Sequence, residues 1–429
     1  MAAAHEDPVT EKGVYAGLVE AQPVDGGKCR MDSGTFKVAQ RTVGHGEAGV
    51  VCGTLILPEG LSPGGAVAFR RGRIEWVGLE SELPSAYQAR PVARAAYVGP
   101  GLIDLHLHGS GGHEVMSADP KDWAELARFL AAHGTTAFLA TTLSATREAL
   151  VSVARATASY VETAAEDGAE LLGLHLEGPY VNPAKAGAQA PDVLRPLDLA
   201  EVERLQELSG GRVRLLTLAP ELARAEDLQS LRRQGIRLSA GHSGATYDEA
   251  RQAFTNGVDQ VTHLFNAMPP LGHREPGLAG AALATSGVYA QLILDLVHVH
   301  PAVARLAIRA KGPGEIVLIT DALSVSGLPP GRYSWDERPV DVRREAVYLV
   351  NGPLAGSNLT LLQAVHMAAG LGLPLAEAWR MASLTPAQAL GLDQRKGQLL
   401  PGYDADLLLL EADLSLTGVL CRGCWVGTS

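Results

Sequence analysis

The apolar positions change rhythm twice along the chain. From residue 50, short apolar runs at 50–57, 66–70 and 73–77 are separated by Gly and Pro, the pattern of strands joined by turns. Beyond residue 100 the runs 102–107, 137–141, 171–176, 213–219, 236–241, 260–265, 291–297 and 316–320 alternate with amphipathic stretches. Strands alternating with helices signal βα units around a parallel sheet, and eight is the number that closes a barrel. The stretches 121–132 and 246–256 read as helices, each stopped by a glycine, Gly134 and Gly257. Ser144 is placed to cap a further helix that runs to Ala165. After Gly391 the runs 397–400, 405–410 and 418–425 return to strand. The expected class is α/β: a TIM-like (β/α)8 barrel over 99–390, with a small β-sandwich domain built from the N- and C-terminal segments 49–98 and 391–429. Residues 1–48 form an N-terminal segment with no assignable role.

Composition narrows the function. Of 429 residues, 46% are hydrophobic and 19% charged, which is the balance of a folded globular chain. A net charge of -11 argues against a nucleic-acid surface, which needs Lys and Arg in excess. A bilayer span takes roughly 20 apolar residues, and runs such as 290–297 are far shorter. Residues 1–14 lack an apolar signal core, so the expected location is the cytoplasm. Cys29, Cys52, Cys421 and Cys424 are too few and too scattered for a disulfide framework. Cys421 and Cys424 have the spacing of a zinc half-site but no second pair, so no structural zinc is expected.

The chemistry collects at the carboxyl ends of the barrel strands, where barrel active sites lie. His106 and His108 end the first strand, and side chains two apart share a face, so both can reach one ion. Glu177 ends the third strand, where a buried carboxylate is costly unless it meets a cation. His175, two residues deeper, reads as an interior hydrogen-bonded histidine and not as a ligand. His242 ends the fifth strand and His263 lies on the sixth. Four histidines and a glutamate at strand ends are hard to explain as packing, and imidazole with carboxylate suits zinc, iron or another divalent transition metal. Asp321 ends the eighth strand, placed either to cap the next segment or to hold a water and accept its proton. A divalent ion brings the pKa of such a water toward about 7. His298, at the end of the seventh strand, is placed to polarise a carbonyl or to bind a hydroxyl; His300 opens a helix before Pro301 and reads as structural. Arg274 lies in a Gly-rich loop, where an arginine is ordinarily a solvated charge.

Several motifs together resemble the N-acetylglucosamine-6-phosphate deacetylase family of the amidohydrolase superfamily, across about residues 50 to 425. They are His175-Leu-Glu-Gly-Pro179, Gly241-His-Ser243, Thr262-His-Leu-Phe-Asn-Ala-Met268, Arg274-Glu-Pro-Gly-Leu-Ala-Gly280 and Thr320-Asp-Ala322. Pro401-Gly-Tyr-Asp-Ala-Asp406 is similar to the superfamily's C-terminal β-domain signature. The resemblance implies Glu177, His242 and His263 as metal ligands and Asp321 as catalytic acid and base. It further implies that Asn266, the backbone at Ala267, and Arg274 hold a sugar phosphate, with Arg274 reaching a neighbouring subunit. By the same resemblance His298 contacts the substrate amide, while Ala188 and the segment Leu354, Ala355, Gly356 and Ser357 line the sugar pocket. Gln189 stands where many relatives carry His, which bears on sugar selectivity. Relatives with the first-strand histidine pair can hold two metals, and His106 and His108 place this chain with them.

These readings lead to metal-dependent hydrolysis of N-acetylglucosamine 6-phosphate to glucosamine 6-phosphate and acetate, in amino-sugar catabolism or recycling. One or two divalent ions are expected, zinc first, in a homodimer acting on a small phosphorylated amino sugar. The alternatives are a deacetylase of another hexosamine phosphate, such as N-acetylgalactosamine 6-phosphate, and a catalytically silent scaffold. A hydantoinase-like reading fits less well, because none of the eight strands ends in the lysine such relatives use to bridge two metals.

Overall fold

The computed structural model describes residues 48–90, 92–164, 167–350, 352 and 354–427. The N-terminal segment of unassigned role, apart from Ala48, the signal-core reading at 1–14 and Cys29 lie outside the described residues.

Eight parallel strands form one sheet in sequence order: Leu102–Leu107, Thr135–Thr142, Glu170–Glu177, Val213–Leu218, Arg237–Ala240, Gln260–Val261, Tyr289–Ile293 and Ile316–Ile319. The first two strands are buried at every position, as expected where helices cover one face and the barrel interior fills the other. That interior holds Ile103, Leu105, Leu139, Leu215, Ile293, Val317 and Ile319, packed against Ala387 and Leu390 of the helix Leu384–Leu390. First and eighth strands meet through Asp104, whose carboxylate accepts the Thr320 hydroxyl at 2.6 Å and the His106 N–H at 3.1 Å. The Asp321 N–H donates to the His106 carbonyl at 2.8 Å, which joins the same two strands at the mouth. This is a TIM-like (β/α)8 barrel.

Local chemistry explains where the helices start. Pro120–Ala132 is capped by Asp119, and Tyr247–Thr255 opens on a reciprocal box between Thr246 and Glu249. Ser144 does not cap the next helix: Arg147–Thr163 takes its cap from Thr146, two residues on, and the Ser144 N–H bonds instead to Gln189. The sixth strand stops at Val261, short of the expected 265, because His263, Phe265 and Ala267 take positive φ. The seventh starts at Tyr289 and ends at Ile293, since Asp295 folds the chain into a turn by accepting the N–H groups of Val297 and His298. Residues 397–400 form no strand; Gly397 has φ 87°, and a side chain there would lie 2.7 Å from the Ser383 carbonyl. The expected strand 418–425 is a hairpin of Leu416–Cys421 and Cys424–Trp425.

Besides a two-stranded hairpin of Gly109–Ser110 and His113–Glu114, two larger sheets accompany the barrel among the described residues. Strands from residues 48–100 and 407–425 form one seven-stranded sheet, with Val51, Leu55, Val67 and Phe69 on one face and Val50, Cys52, Ala66 and Ala68 on the other. Lys396 ties the C-terminal part to the start of the third barrel strand, its Nζ at 2.8 Å from Glu170, 2.8 Å from Asp404 and 2.6 Å from Asp406. The second sheet was not anticipated from the sequence. Gly331–Trp335, Arg338–Val342, Ala346–Leu349 and Leu354–Ser357 follow the eighth barrel strand as an antiparallel insert. Among the described residues, no helix is long and apolar enough to cross a membrane.

Candidate metal centre

The barrel brings six of the expected residues together. Two groups, His106 with His108 and Asp321, and Glu177 with His242 and His263, each hold their ligand atoms within 4.8 Å of one another. Glu177 faces both groups. Its Oε1 is 3.2 Å from His106 Nε2 and 3.3 Å from the Nε2 atoms of His242 and His263, while Oε2 is 3.3 Å from His108 Nε2. Asp321 Oδ1 lies 3.4 Å from the Nε2 atoms of His106 and His108.

Backbone geometry aims these groups. His242, His263 and Asp321 have φ of 46°, 30° and 50°, a region that residues other than glycine seldom occupy. Such strain persists where the surroundings over-determine it, and it clusters at functional sites. Gly356 lets the insert sheet close over Asp321: a Cβ there would lie 2.7 Å from the Asp321 carbonyl. Ser357 beside it donates its N–H to that carbonyl at 3.1 Å.

Three histidines have their tautomer set from behind. His108 Nδ1 faces the Thr141 carbonyl at 3.2 Å and His242 Nδ1 the Lys185 carbonyl at 2.9 Å, so each Nδ1 carries the hydrogen and leaves Nε2 a lone pair. His106 is set by a longer chain. The Ala389 carbonyl takes the Gln260 amide hydrogen, the Gln260 oxygen takes that of Gln291, and the Gln291 oxygen is left to accept from His106 Nδ1. His175 stays outside this set, its Nε2 2.7 Å from the Thr217 hydroxyl and its Nδ1 3.2 Å from that of Thr141.

The electrostatics call for a cation. Burial opposes a charge on His108, yet Asp321 and Glu177 outweigh it and hold its pKa up at about 10. Burial also pushes Glu177 upward, and the imidazoles, His106 foremost, hold it well below the usual carboxylate range instead. Among the described residues no Lys or Arg pairs with either carboxylate, and His106 Nε2 is buried with no hydrogen bond. Ligands on a tetrahedral zinc at about 2.0–2.1 Å lie roughly 3.3 Å from one another. The observed 3.0 Å between the Nε2 atoms of His242 and His263, and 3.2–3.4 Å for the other pairs, fit that donor set.

The chain belongs to the amidohydrolase family. The Amidohydrolase family model matches residues 97–426. N-acetylglucosamine-6-phosphate deacetylase of Bacillus subtilis (strain 168) is 37% identical over 365 residues, 84% of this chain and 92% of that protein. N-acetylgalactosamine-6-phosphate deacetylase of Escherichia coli O157:H7 is also 37% identical, over 76% of this chain and 86% of its own. The crystal structure of N-acetyl-D-glucosamine-6-phosphate deacetylase from Mycobacterium smegmatis matches with TM-score 0.81 and 34% identity, over 89% of this chain and all of that one. Within this amidohydrolase the His, Asp and Glu groups of the mouth are able to bind a metal ion.

The remaining expected residues surround the cluster or stand apart from it. His298 is held by Asp295, Nδ1 to Oδ2 at 2.6 Å, a partner that sequence reasoning missed although it lies only three residues away. His300 caps the helix Pro301–Lys311 by accepting the Ala302 N–H. Asn266 Nδ2 donates to the carbonyls of His263 and Leu264, and the Ala267 carbonyl accepts the Ser243 N–H. The Ala188 carbonyl accepts from Arg338 of the insert at 2.8 Å. Leu354, Ala355, Gly356 and Ser357 form the insert strand over Asp321. Arg274 is not brought to the cluster: it is exposed, with no ion pair or hydrogen bond among the described residues. Gln189 bonds to Glu177. Asp104, Gln260 and Gln291 were also missed, and only their polarity on otherwise apolar strands could have signalled them.

Proposed function

We propose that this amidohydrolase removes the acetyl group of N-acetylglucosamine 6-phosphate, giving glucosamine 6-phosphate and acetate. The observation that carries the reading is a buried cluster of four imidazole Nε2 atoms and two carboxylates at the strand ends, with no Lys or Arg among the described residues paired to it. Relatives named for this reaction, aligned over most of the chain, support it. His106, His108, Glu177, His242, His263 and Asp321 would hold one or two divalent ions, zinc by the preference of imidazole and carboxylate donors. A bound ion supplies Lewis acidity, polarising the amide carbonyl and making water acidic enough to react near neutral pH.

This chain's residues do the rest. Asp321 takes a proton from the attacking water as its oxygen bonds to the carbonyl carbon, then delivers it to the nitrogen as the C–N bond breaks. His298, oriented by Asp295, meets the amide carbonyl. Asn266, the backbone at Ala267, and Arg274 receive the phosphate; because Arg274 projects into solvent, we assign it to the neighbouring subunit of a homodimer. Ala188 and residues 354–357 face the sugar. We place the enzyme in the cytoplasm, where reduced thiols such as Cys52 and Cys421 persist.

The test is acetate release from N-acetylglucosamine 6-phosphate, its galactosamine epimer and unphosphorylated N-acetylglucosamine, with metal content measured on the same sample. The glucosamine phosphate should give the highest kcat/KM. Faster release from the epimer would reassign the substrate, in line with the E. coli relative's name. Metal-loaded protein that releases no acetate from any of them would end the deacetylase reading.

A further inference from the structure

We propose that Gln189 is a positioning residue for the metal-binding carboxylate of Glu177 and does not read the sugar. Its amide orientation is fixed by chemistry. Gln189 Oε1 lies 2.8 Å from the backbone N–H of Ser144, which can only donate, so the nitrogen must point the other way. That nitrogen donates to Glu177 Oε2 at 2.6 Å, a charge-assisted bond. Glu177 is thereby held through Oε2, which also lies 3.3 Å from His108 Nε2, while Oε1 faces His106, His242 and His263.

The clamp is itself anchored. Ser144 follows the second barrel strand, and its hydroxyl donates to the Glu177 carbonyl at 3.4 Å. The Gln189 N–H bonds to the Ala186 carbonyl at 3.0 Å, and Arg338 grips the Ala188 carbonyl next door. Only 6% of Gln189 is exposed, and both ends of its amide are engaged before any sugar arrives. Outer-shell partners of metal ligands usually set affinity by about 10- to 100-fold.

This inference rests on the metal-centre reading, so its experiment measures metal binding directly. The parent and the variants Gln189→Met, Gln189→Ala and Gln189→His are titrated with Zn2+ in competition with a chromophoric chelator, and kcat/KM is measured for both epimeric sugar phosphates. Met keeps the length of the side chain and removes the bonds, whereas His again offers one donor and one acceptor. The Met and Ala variants should bind Zn2+ about 10- to 100-fold more weakly. The His variant should stay close to the parent, and the epimer ratio should not move in any of them. Parent-like affinity in both Met and Ala variants overturns the proposal, as does an epimer ratio that shifts at unchanged affinity. A His variant as weak as the Met variant assigns the effect to shape and overturns the bonding argument. A parent chain that takes up no Zn2+ removes the metal-centre reading, and this inference with it.

Discussion

Glu170 and Glu177 close opposite ends of one eight-residue strand, which at about 3.3 Å per residue sets them roughly 23 Å apart. Each sits in a cluster of charge, and the clusters differ in where the balancing cation comes from. Around Glu170 the chain supplies its own: Lys396 contacts three carboxylates, Arg395 lies 2.6 Å from Glu170, and Arg73 lies 2.6 Å from Asp404. Around Glu177 it supplies imidazoles, each able to be neutral and to offer a lone pair. Buried charge whose partners are Lys and Arg is a tie between chain segments. Buried carboxylate whose partners are histidines with preset tautomers awaits a cation from outside. The division follows the barrel, where the amino ends of the strands serve stability and the carboxyl ends serve chemistry.

The strongest way to break this contrast is to remove the proton carrier at the upper end. Asp321→Asn keeps an oxygen toward His106 and His108 but cannot accept a proton, and kcat should fall by about 100- to 10,000-fold. Zinc content, measured on the same protein by elemental analysis, should stay near that of the parent. Near-normal kcat would leave Asp321 with only a structural part. The matching change at the lower end is Lys396→Met, which removes the ammonium that three carboxylates share from a residue that is 2% exposed. Loss of one partner from a buried ionic cluster costs about 3–5 kcal/mol. The urea midpoint should drop accordingly while kcat/KM of the folded protein holds. Lost activity with unchanged stability would reverse the roles of the two ends.

Acid separates the ends more finely. Burial pushes the Glu170 carboxyl up, but Lys396 and Arg395 outweigh it and lower its pKa from 4.5 to about 2. A depressed folded pKa means that the stabilisation is fully present above the unfolded value and is lost as pH falls from 4.5 through about 2. At 1.36 kcal/mol per unit this contributes at most roughly 3 kcal/mol. Glu170→Gln should therefore trail the parent at pH 6 and draw level as pH approaches 2. Chemical denaturation at pH 6, 4 and 3 measures the gap, and a gap that widens toward acid would contradict the pairing.

The upper end was the more legible from sequence, and the reason is physical. His106, His108, Glu177, His242 and Asp321 stand at or just past the ends of apolar runs, so local pattern places them at one mouth, whereas His263 lies inside its run and follows the strand only because the strand stops at Val261. Glu170 starts such a run, and its partner Arg395 is 225 residues away, a separation no periodicity carries. The early stop of the sixth strand was hidden because the positive φ at His263, Phe265 and Ala267 arises from surroundings that bend an apolar run out of strand. Thr146 outcompeted Ser144 as a cap because the helix starts one residue after it, and Ser144 was already committed to Gln189. The insert of residues 331–357 escaped notice because its short strands carry Arg332, Arg338 and Asp341 among their apolar positions.

The smallest expected effect tests whether the two ends are independent. No hydrogen bond or ion pair among the described residues joins the Lys396 cluster to the mouth. Sites more than about 7–10 Å apart without shared partners add within about 0.5 kcal/mol. Zinc that binds only the folded chain stabilises it by about 2.7 kcal/mol at a concentration 100 times its Kd. Parent and Lys396→Met should therefore gain the same increment from zinc, read as the shift in urea midpoint with and without the ion. Glu177→Gln, which weakens the carboxylate facing both ligand groups, should lose most of that increment while its zinc-free midpoint moves less than that of Lys396→Met. A zinc increment that shrinks by more than 0.5 kcal/mol in Lys396→Met would mean that the third strand transmits strain from Glu170 to Glu177. The lower tie would then belong to the metal centre as well as to the fold.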